Sequence, residues 1–308
     1  MTDLHAAVDD YLSIRRQLGF SLERHGWLLP AFVDYLEAAG EERVTIAAAL
    51  DWAMLPSDAR PAWWATRLGV VRGFARHLRA VDPVHEVPPE RLLPSRRSRT
   101  RPYLYSNDDV SALMQAAGAL APAYRSAIYE TLIGLLYVSG MRLGEVLGLD
   151  HGDVDLEHGM LTIRRAKFNK DREVPVHPST VEALGRYAQT RDRHWPRPTT
   201  DAFFVSVRGH RLGSGTVHDV FRGLLRQSGL EGRGPRGRPR PHDFRHSLAV
   251  STLAGWYRAG QDPEALLPLL STFLGHVDPR STYLYLDAAP ELLQLAAQRL
   301  DQVWGAQP

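Results

Sequence analysis

The sequence has no cysteine, and only two of its 37 basic residues are lysines. The first absence excludes a disulfide scaffold, a cysteine-held zinc or iron–sulfur centre, and a thiol nucleophile. The second leaves 35 arginines and confines the amines to Lys167 and Lys170. Arginine stays protonated in proteins, whereas lysine can give up a proton when its surroundings depress its pKa. A chain that uses arginine nearly everywhere and lysine in one place points to a need for an amine there. Long apolar runs are missing too: none approaches the roughly 18 residues of a membrane span. The opening stretch MTDLHAAVDD has neither the basic n-region nor the apolar h-region of a secretory signal. The expected compartment is the cytoplasm, with no membrane partner.

What is present is the composition of an ordinary folded protein, 44% hydrophobic and 23% charged. A chain of 308 residues is long enough for two domains of ordinary size. Charge is uneven along the chain. Residues 1–90 carry nine arginines against 13 acids, and the remainder has an excess of six positive charges. Such an excess fits nucleic-acid binding without demonstrating it.

The chain reads as helices from its start to Asp82. Asp3–Gly19, Glu23–Gly40 and Thr45–Met54 are apolar-periodic segments, two of them closed by glycine. Pro61 to Ala80 opens with proline at the first helical position. It carries Leu68, Val71, Ala75 and Leu78 on one face, as a core-facing helix does. Arg72, Arg76 and Arg79 form a second stripe, either a solvated basic face or one laid along DNA phosphates and base edges. Residues 82–102 (DPVHEVPPERLLPSRRSRTRP) change character: four prolines from Pro83 to Pro94 stop helix continuation, and Arg91, Arg96, Arg97, Arg99 and Arg101 follow with no acid after Glu90. This stretch reads as an extended linker whose arginines serve as a soluble tether or cross a nucleic-acid backbone.

A larger domain begins near Tyr103. Ser106 is placed to cap a helix whose first turn holds Asp108 and Asp109. Tyr124–Ser139 is a long apolar helix ending at Gly140, and Arg142–Leu147 a short one. The period then shortens. Asp153–Leu156, Met160–Arg164 and Glu173–Val176 are β-branched runs separated by turn residues, a small antiparallel sheet. Helices resume at Pro178–Thr190, Gly215–Ser228, His242–Arg258, Pro263–Leu274, Pro279–Leu286 and Pro290–Val303. The expected fold class is mainly α with a small antiparallel sheet (α+β).

Five places in this domain could carry chemistry. Arg142 and Glu145 share a helix face at i, i+3, as a structural ion pair or an active-site one. Lys167 and Lys170 lie in a basic turn between strands; a general acid for a leaving oxygen suits lysine and hardly arginine. His242 and Arg245 share a face, and His242 with His246 is a spacing that could hold zinc, although the basic loop Gly232–Pro241, with Arg236, Arg238 and Arg240, suits a polyanion better. His276 follows a helix-ending Gly275. Asp278 and Pro279 then start a helix carrying Tyr283 and Tyr285, aromatics whose ordinary fate is the core.

Each signal alone is weak, but their order is specific. Arg with a nearby Glu, Lys in a β-turn, His-x-x-Arg, Leu-Gly-His, and Tyr nine residues after that His resembles the tyrosine recombinase, or phage integrase, family over nearly the whole chain. The resemblance implies a helical core-binding DNA-binding domain at 1–90, a Pro/Arg-rich linker at 91–102 and a catalytic domain at 103–308. It implies Arg142, Lys167, His242, Arg245 and His276 as activating residues, Tyr285 as nucleophile and Glu145 as support, with Tyr283 non-catalytic. The family's chemistry is DNA strand cleavage and rejoining through a 3′-phosphotyrosyl link, with no cofactor and no metal. Double-stranded recombination sites are the implied partner, engaged by four protomers on two duplexes, with other recombinases as potential co-partners. DNA contacts are expected at Arg72, Arg76, Arg79, Arg96, Arg97, Arg99, Arg101, Arg236, Arg238 and Arg240. The helix at Pro290–Trp304 is implied to dock on a neighbouring protomer. The ending Thr282-Tyr-Leu-Tyr285-Leu…Pro290-Glu-Leu-Leu is similar to transposon-borne members, with phage integration and chromosome-dimer resolution as other settings. Two other functions remain open: a DNA-binding accessory protein that cleaves nothing, and a zinc hydrolase built on His242 and His246.

Overall fold

Asp3 starts the first helix by accepting hydrogen bonds from the backbone N–H groups of His5 and Ala6 at 2.9 and 3.1 Å, which satisfies donors that have no partner within the helix. The computed structural model describes residues 3–20, 22–94, 101–166, 170–234, 238–275 and 292–294. The chain divides into two compact units, residues 1–99 and 100–308.

In the first unit α1 (Leu4–Gln17), α2 (Glu23–Ala38), α3 (Ile46–Met54) and α4 (Pro61–Val81) enclose one apolar core. Leu68, Val71, Ala75 and Leu78, the expected inner stripe of α4, are all buried. The arginine stripe does not stand clear of the protein. Arg72 donates from Nε and Nη2 to the carbonyls of Pro88 and Pro89, both at 2.7 Å, and Arg76 pairs with Glu90 at 2.9 Å. Residues 82–90 therefore fold back on the first unit, where the sequence reading has them leaving it. Glu86 N–H donates to the Val44 carbonyl, and Val87 packs on the core. Pro88 and Pro89 lie in no helix or strand, so their carbonyls have no regular partner, and α4 offers a guanidinium.

The second unit holds α5 (Asn107–Gly118), α6 (Ala123–Ser139), α7 (Leu143–Gly148), strands β1 (Val154–Asp155), β2 (Met160–Ala166) and β3 (Lys170–Pro175), then α8 (Pro178–His194), α9 (Ser214–Gln227), α10 (Asp243–Arg258) and α11 (Pro263–Leu274). Ser106 and Asp109 form a reciprocal capping box at α5, each satisfying an otherwise free donor. Among the described residues the sheet is three-stranded and antiparallel in the order β1-β2-β3, with Leu161 opposite Val174 and Ile163 opposite Arg172. The fold is thus mainly α with a small antiparallel sheet. The β2–β3 hairpin runs further than its β-branched residues suggest, so that Lys170 begins β3 instead of lying in the turn. Backbone pairing continues through polar residues because the ladder depends on main-chain groups alone. The buried run Ala202–Val205, which the sequence reading leaves unassigned, joins the core, with Phe203 N–H donating to the Leu149 carbonyl. Leu292 is buried in a cluster with Leu253 and Leu270 of its own chain.

Candidate active site

Three helix ends build the site. α6 ends at Gly140 and α11 at Gly275, each glycine in the left-handed region with φ of 58° and 67°. A Cβ at Gly140 would lie 2.8 Å from Leu248 Cδ2, and one at Gly275 would lie 2.7 Å from Arg172 Cζ. Both positions therefore favour glycine for conformation, and a Cβ at either would force the neighbouring side chain to shift. The last carbonyls of a helix have no intrahelical donor and carry partial negative charge. Arg245, in the first turn of α10 and only 2% exposed, supplies the missing donors. Its Nη1 donates to the Gly140 carbonyl at 2.8 Å and its Nη2 to the Leu274 carbonyl. Arg142, the N-cap residue of α7, donates from Nη2 to the next carbonyl, that of Gly275, at 3.3 Å. The two arginines thus converge on consecutive carbonyls, immediately before position 276.

Glu145 organises the Arg142 side. Its carboxylate accepts from Arg142 N–H at 2.9 Å and from Arg142 Nη1 at 2.6 Å, and it takes a two-pronged ion pair from Arg172 of β3 at 2.8 and 3.1 Å. Burial alone would push this carboxyl up, but the hydrogen bonds and charge from Arg172 and Arg142 outweigh it and bring its pKa to about 2. The α10 side is pinned by Asp243, whose buried carboxylate receives Arg240 Nη2 at 2.8 Å and the Arg240 N–H at 2.9 Å. Tyr105 adds a stacked contact on Phe244, with ring centroids 4.2 Å apart.

His242 precedes α10 and meets His246 edge-on, with ring centroids 5.1 Å apart. Part of His242 reaches solvent, yet the protein packed around it, and then the charge of Arg245, hold its pKa below the ordinary histidine value. Burial, and then His242, push His246 down to about 4. His242 is therefore a neutral imidazole at neutral pH, able to accept a proton. Among the described residues the only three-member grouping with metal-ligand spacing is His5, Asp34 and Glu37 in the first unit, and none of the described residues joins His242 and His246 as a third ligand.

The structure thus brings Arg142, Glu145, Arg245 and His242 together. Lys167, His276 and Tyr285 lie outside the described residues, as do Tyr283, Arg96, Arg97, Arg99 and Arg236. Arg101 and Arg238 are exposed, as are Arg76 and Arg79. Arg240, expected at DNA, spends its guanidinium on Asp243. Asp243 and Arg172 are not among the residues expected from the sequence. Asp243 stands three residues after Arg240, close enough in the chain to suggest a pair at the head of α10; nothing in the sequence tied Arg172 to Glu145, 27 residues away.

Residues 104–291 match the model of the phage integrase family. The chain is 45% identical over 99% of its length, and 99% of the relative's, to the integrase/recombinase y4rB of Sinorhizobium fredii. It is 31% identical to the tyrosine recombinase XerC of Azotobacter vinelandii, covering 72% of this chain and 68% of that one. In fold it is similar to the Tn1549 transposon integrase solved in complex with transposon right end DNA, with a TM-score of 0.63 at 16% identity over 96% of this chain and 98% of that one. With Arg142, Glu145, His242 and Arg245 following in this order and brought together by the fold, and with these relatives, the chain belongs to the phage integrase family and is a site-specific recombinase of the tyrosine class.

Proposed function

We propose that the protein cuts and rejoins double-stranded DNA through a covalent 3′-phosphotyrosyl intermediate, with Tyr285 as nucleophile, in the movement of a mobile element. The observation that carries this is the convergence of Arg142 and Arg245 on consecutive carbonyls directly before His276, with neutral His242 on the same helix turn as Arg245. In the step proposed, the Tyr285 oxygen bonds to phosphorus as the bond from phosphorus to the 5′-oxygen breaks. His242 takes the tyrosine proton, and Lys167 gives a proton to the leaving 5′-oxygen. Arg142, Arg245 and His276 stabilise charge on the non-bridging oxygens. The covalent link conserves the phosphodiester, so religation uses no external energy source.

One tyrosine holds one strand, and two duplexes present four strands to be exchanged. This stoichiometry supports a tetramer on paired recombination sites. Residues 1–90 serve as the helical core-binding domain, 91–102 as linker and 103–308 as catalytic domain. DNA contacts are assigned to Arg79, Arg101 and Arg238 in the described residues and to Arg96, Arg97, Arg99 and Arg236 outside them; Arg72, Arg76 and Arg240 contribute after releasing or sharing their protein partners. The mobile-element setting is favoured by the integrase name of the 45% identical relative and by the resemblance of the segment after Thr282 to transposon-borne members.

The test is covalent capture. Nicked duplexes with a randomised core, in which the cleaved fragment diffuses away, are incubated with the protein and resolved in SDS. The wild type and Tyr283→Phe are expected to form an SDS-resistant adduct, and Tyr285→Phe to bind DNA without one. Adduct formation by Tyr285→Phe but not Tyr283→Phe would assign the nucleophile to the other tyrosine. A wild-type protein that binds DNA yet captures nothing would be the accessory protein instead.

A further inference from the structure

Arg172 has no part in the chemistry proposed above, yet it touches the pieces that do. Both described hydrogen bonds of its guanidinium go to Glu145, in the parallel two-pronged geometry that fixes a carboxylate's orientation as well as its charge. The same guanidinium packs on the face of Gly275, where even a methyl group would lie 2.7 Å from its Cζ and Nη1. Glu145 in turn holds the Arg142 backbone and side chain, and Arg142 donates to the Gly275 carbonyl. The result is a closed circuit of contacts: Arg172, Glu145, Arg142, Gly275 and back to Arg172. Both charged partners are largely withdrawn from water, with side chains 14% and 10% exposed. β3 supplies the rigid base of this circuit, since Arg172 sits opposite Ile163 in the hairpin register and Ile163 is buried in the core.

We infer that Arg172 is a positioning residue for strand cleavage: acting through Glu145, it aims the Arg142 guanidinium, and through its seat on Gly275 it holds the glycine that closes α11. The inference rests on the strand-cleavage reading. A rival route exists, because Arg172 lies five residues after Lys167 and could act by shaping the lysine turn. The contacts favour Glu145 and Gly275. A misplacement of about 1 Å at a reacting centre can cost about 10²-fold in rate, which is the size of effect at stake.

The experiment measures single-turnover cleavage and DNA affinity on a nicked duplex recovered by covalent capture, and on the same duplex with sulfur replacing the bridging 5′-oxygen. Sulfur leaves as a thiolate and hardly needs a proton, so it compensates a missing acid but not a misaimed arginine. Arg172→Gln is expected to slow cleavage by about 10²-fold with Kd near the wild-type value, and sulfur is expected not to restore it. Lys167→Arg, the leaving-group variant, is the one expected to recover. Glu145→Gln should show a loss similar to Arg172→Gln, and the double variant should be no slower than the slower single one, because the two residues act as a unit. Arg172→Lys keeps a cation beside Glu145 but loses the fork, and should fall between. Recovery of Arg172→Gln by sulfur would place its action at the lysine turn and overturn the inference, as would multiplying losses in the double variant or cleavage by Arg172→Gln at the wild-type rate. If Arg172→Gln does not fold, Arg172→Lys carries the test on both substrates: a loss that sulfur leaves in place supports the inference, and full activity overturns it. Failure of the wild type to form an adduct would instead bring down the cleavage reading itself.

Discussion

Two arginines with nearly the same bonding stand in the two units of this protein. In the first unit Arg72 donates to the carbonyls of Pro88 and Pro89, both at 2.7 Å; in the second Arg245 donates to the carbonyls of Gly140, at 2.8 Å, and of Leu274. What separates them is where these carbonyl acceptors come from. The carbonyls bound by Arg72 come from one surface segment 16 and 17 residues along the chain. Those bound by Arg245 are the ends of two helices, 105 and 29 residues away. The first guanidinium fastens a loop, and the second holds three helix ends at one point. The origin of its acceptors decides whether a guanidinium ties down one loop or joins elements distant in sequence.

The sharpest way to break this comparison is to remove each guanidinium in turn. Arg245→Ala is expected to lower single-turnover cleavage by about 10²–10³-fold, while Arg72→Ala leaves the rate near wild type at saturating DNA. A larger loss in Arg72→Ala would invert the comparison. A second contrast uses glycines. Gly140→Ala introduces a Cβ at positive φ within 2.8 Å of Leu248 Cδ2. It should destabilise the fold by about 1–3 kcal/mol. Gly69 lies within α4 with nothing in the way of a Cβ. Gly69→Ala should stabilise by about 0.5–1 kcal/mol. Urea unfolding of both variants gives the two signs directly.

Acid should act on the second unit through His246. Its folded pKa of about 4 is below the ordinary histidine value of 6.5, so between these values the unfolded chain binds more protons than the folded one. Stability is therefore fully present above the ordinary histidine value and declines as pH falls toward the folded one. His85 of the first unit, also held low by burial, works in the same direction. The urea midpoint should drop over this range in the wild type and drop less in His246→Gln; an unchanged slope would remove His246 from the account. The smallest effect is expected at Arg76 and Glu90, a pair with side chains 57% and 71% exposed. Arg76→Ala should change stability by less than about 1 kcal/mol.

Much of the fold was legible because it is written locally. The Ser106–Asp109 capping box, Pro61 at the head of α4 and Gly140 closing α6 are signals spanning a few residues, and each marks an element boundary in the structure. The Leu68-Val71-Ala75-Leu78 stripe named its own buried face. The pairing of Arg142 with Glu145 was equally visible, being one helical turn long. Contacts over longer separations were not. The packing of Pro88 and Pro89 on Arg72, the burial of Ala202–Val205 and the grip of Arg172 on Glu145 all join residues whose sequence neighbourhoods carry no mark of one another.

By itself, then, the sequence determined the helices and the small sheet of the described residues, the ordered set of reactive residue types and the confinement of lysine to one place, because caps, periodicity and side-chain chemistry are properties of short stretches of chain; the helices expected at Pro279–Leu286 and over most of Pro290–Val303 lie outside the described residues. Only the tertiary structure decided which charges act together. Arg240 turns to Asp243, Arg172 to Glu145, and Arg245 to the ends of α6 and α11. A buried guanidinium must find acceptors wherever the packing of distant helices leaves carbonyls without donors, and that packing is a property of the whole unit.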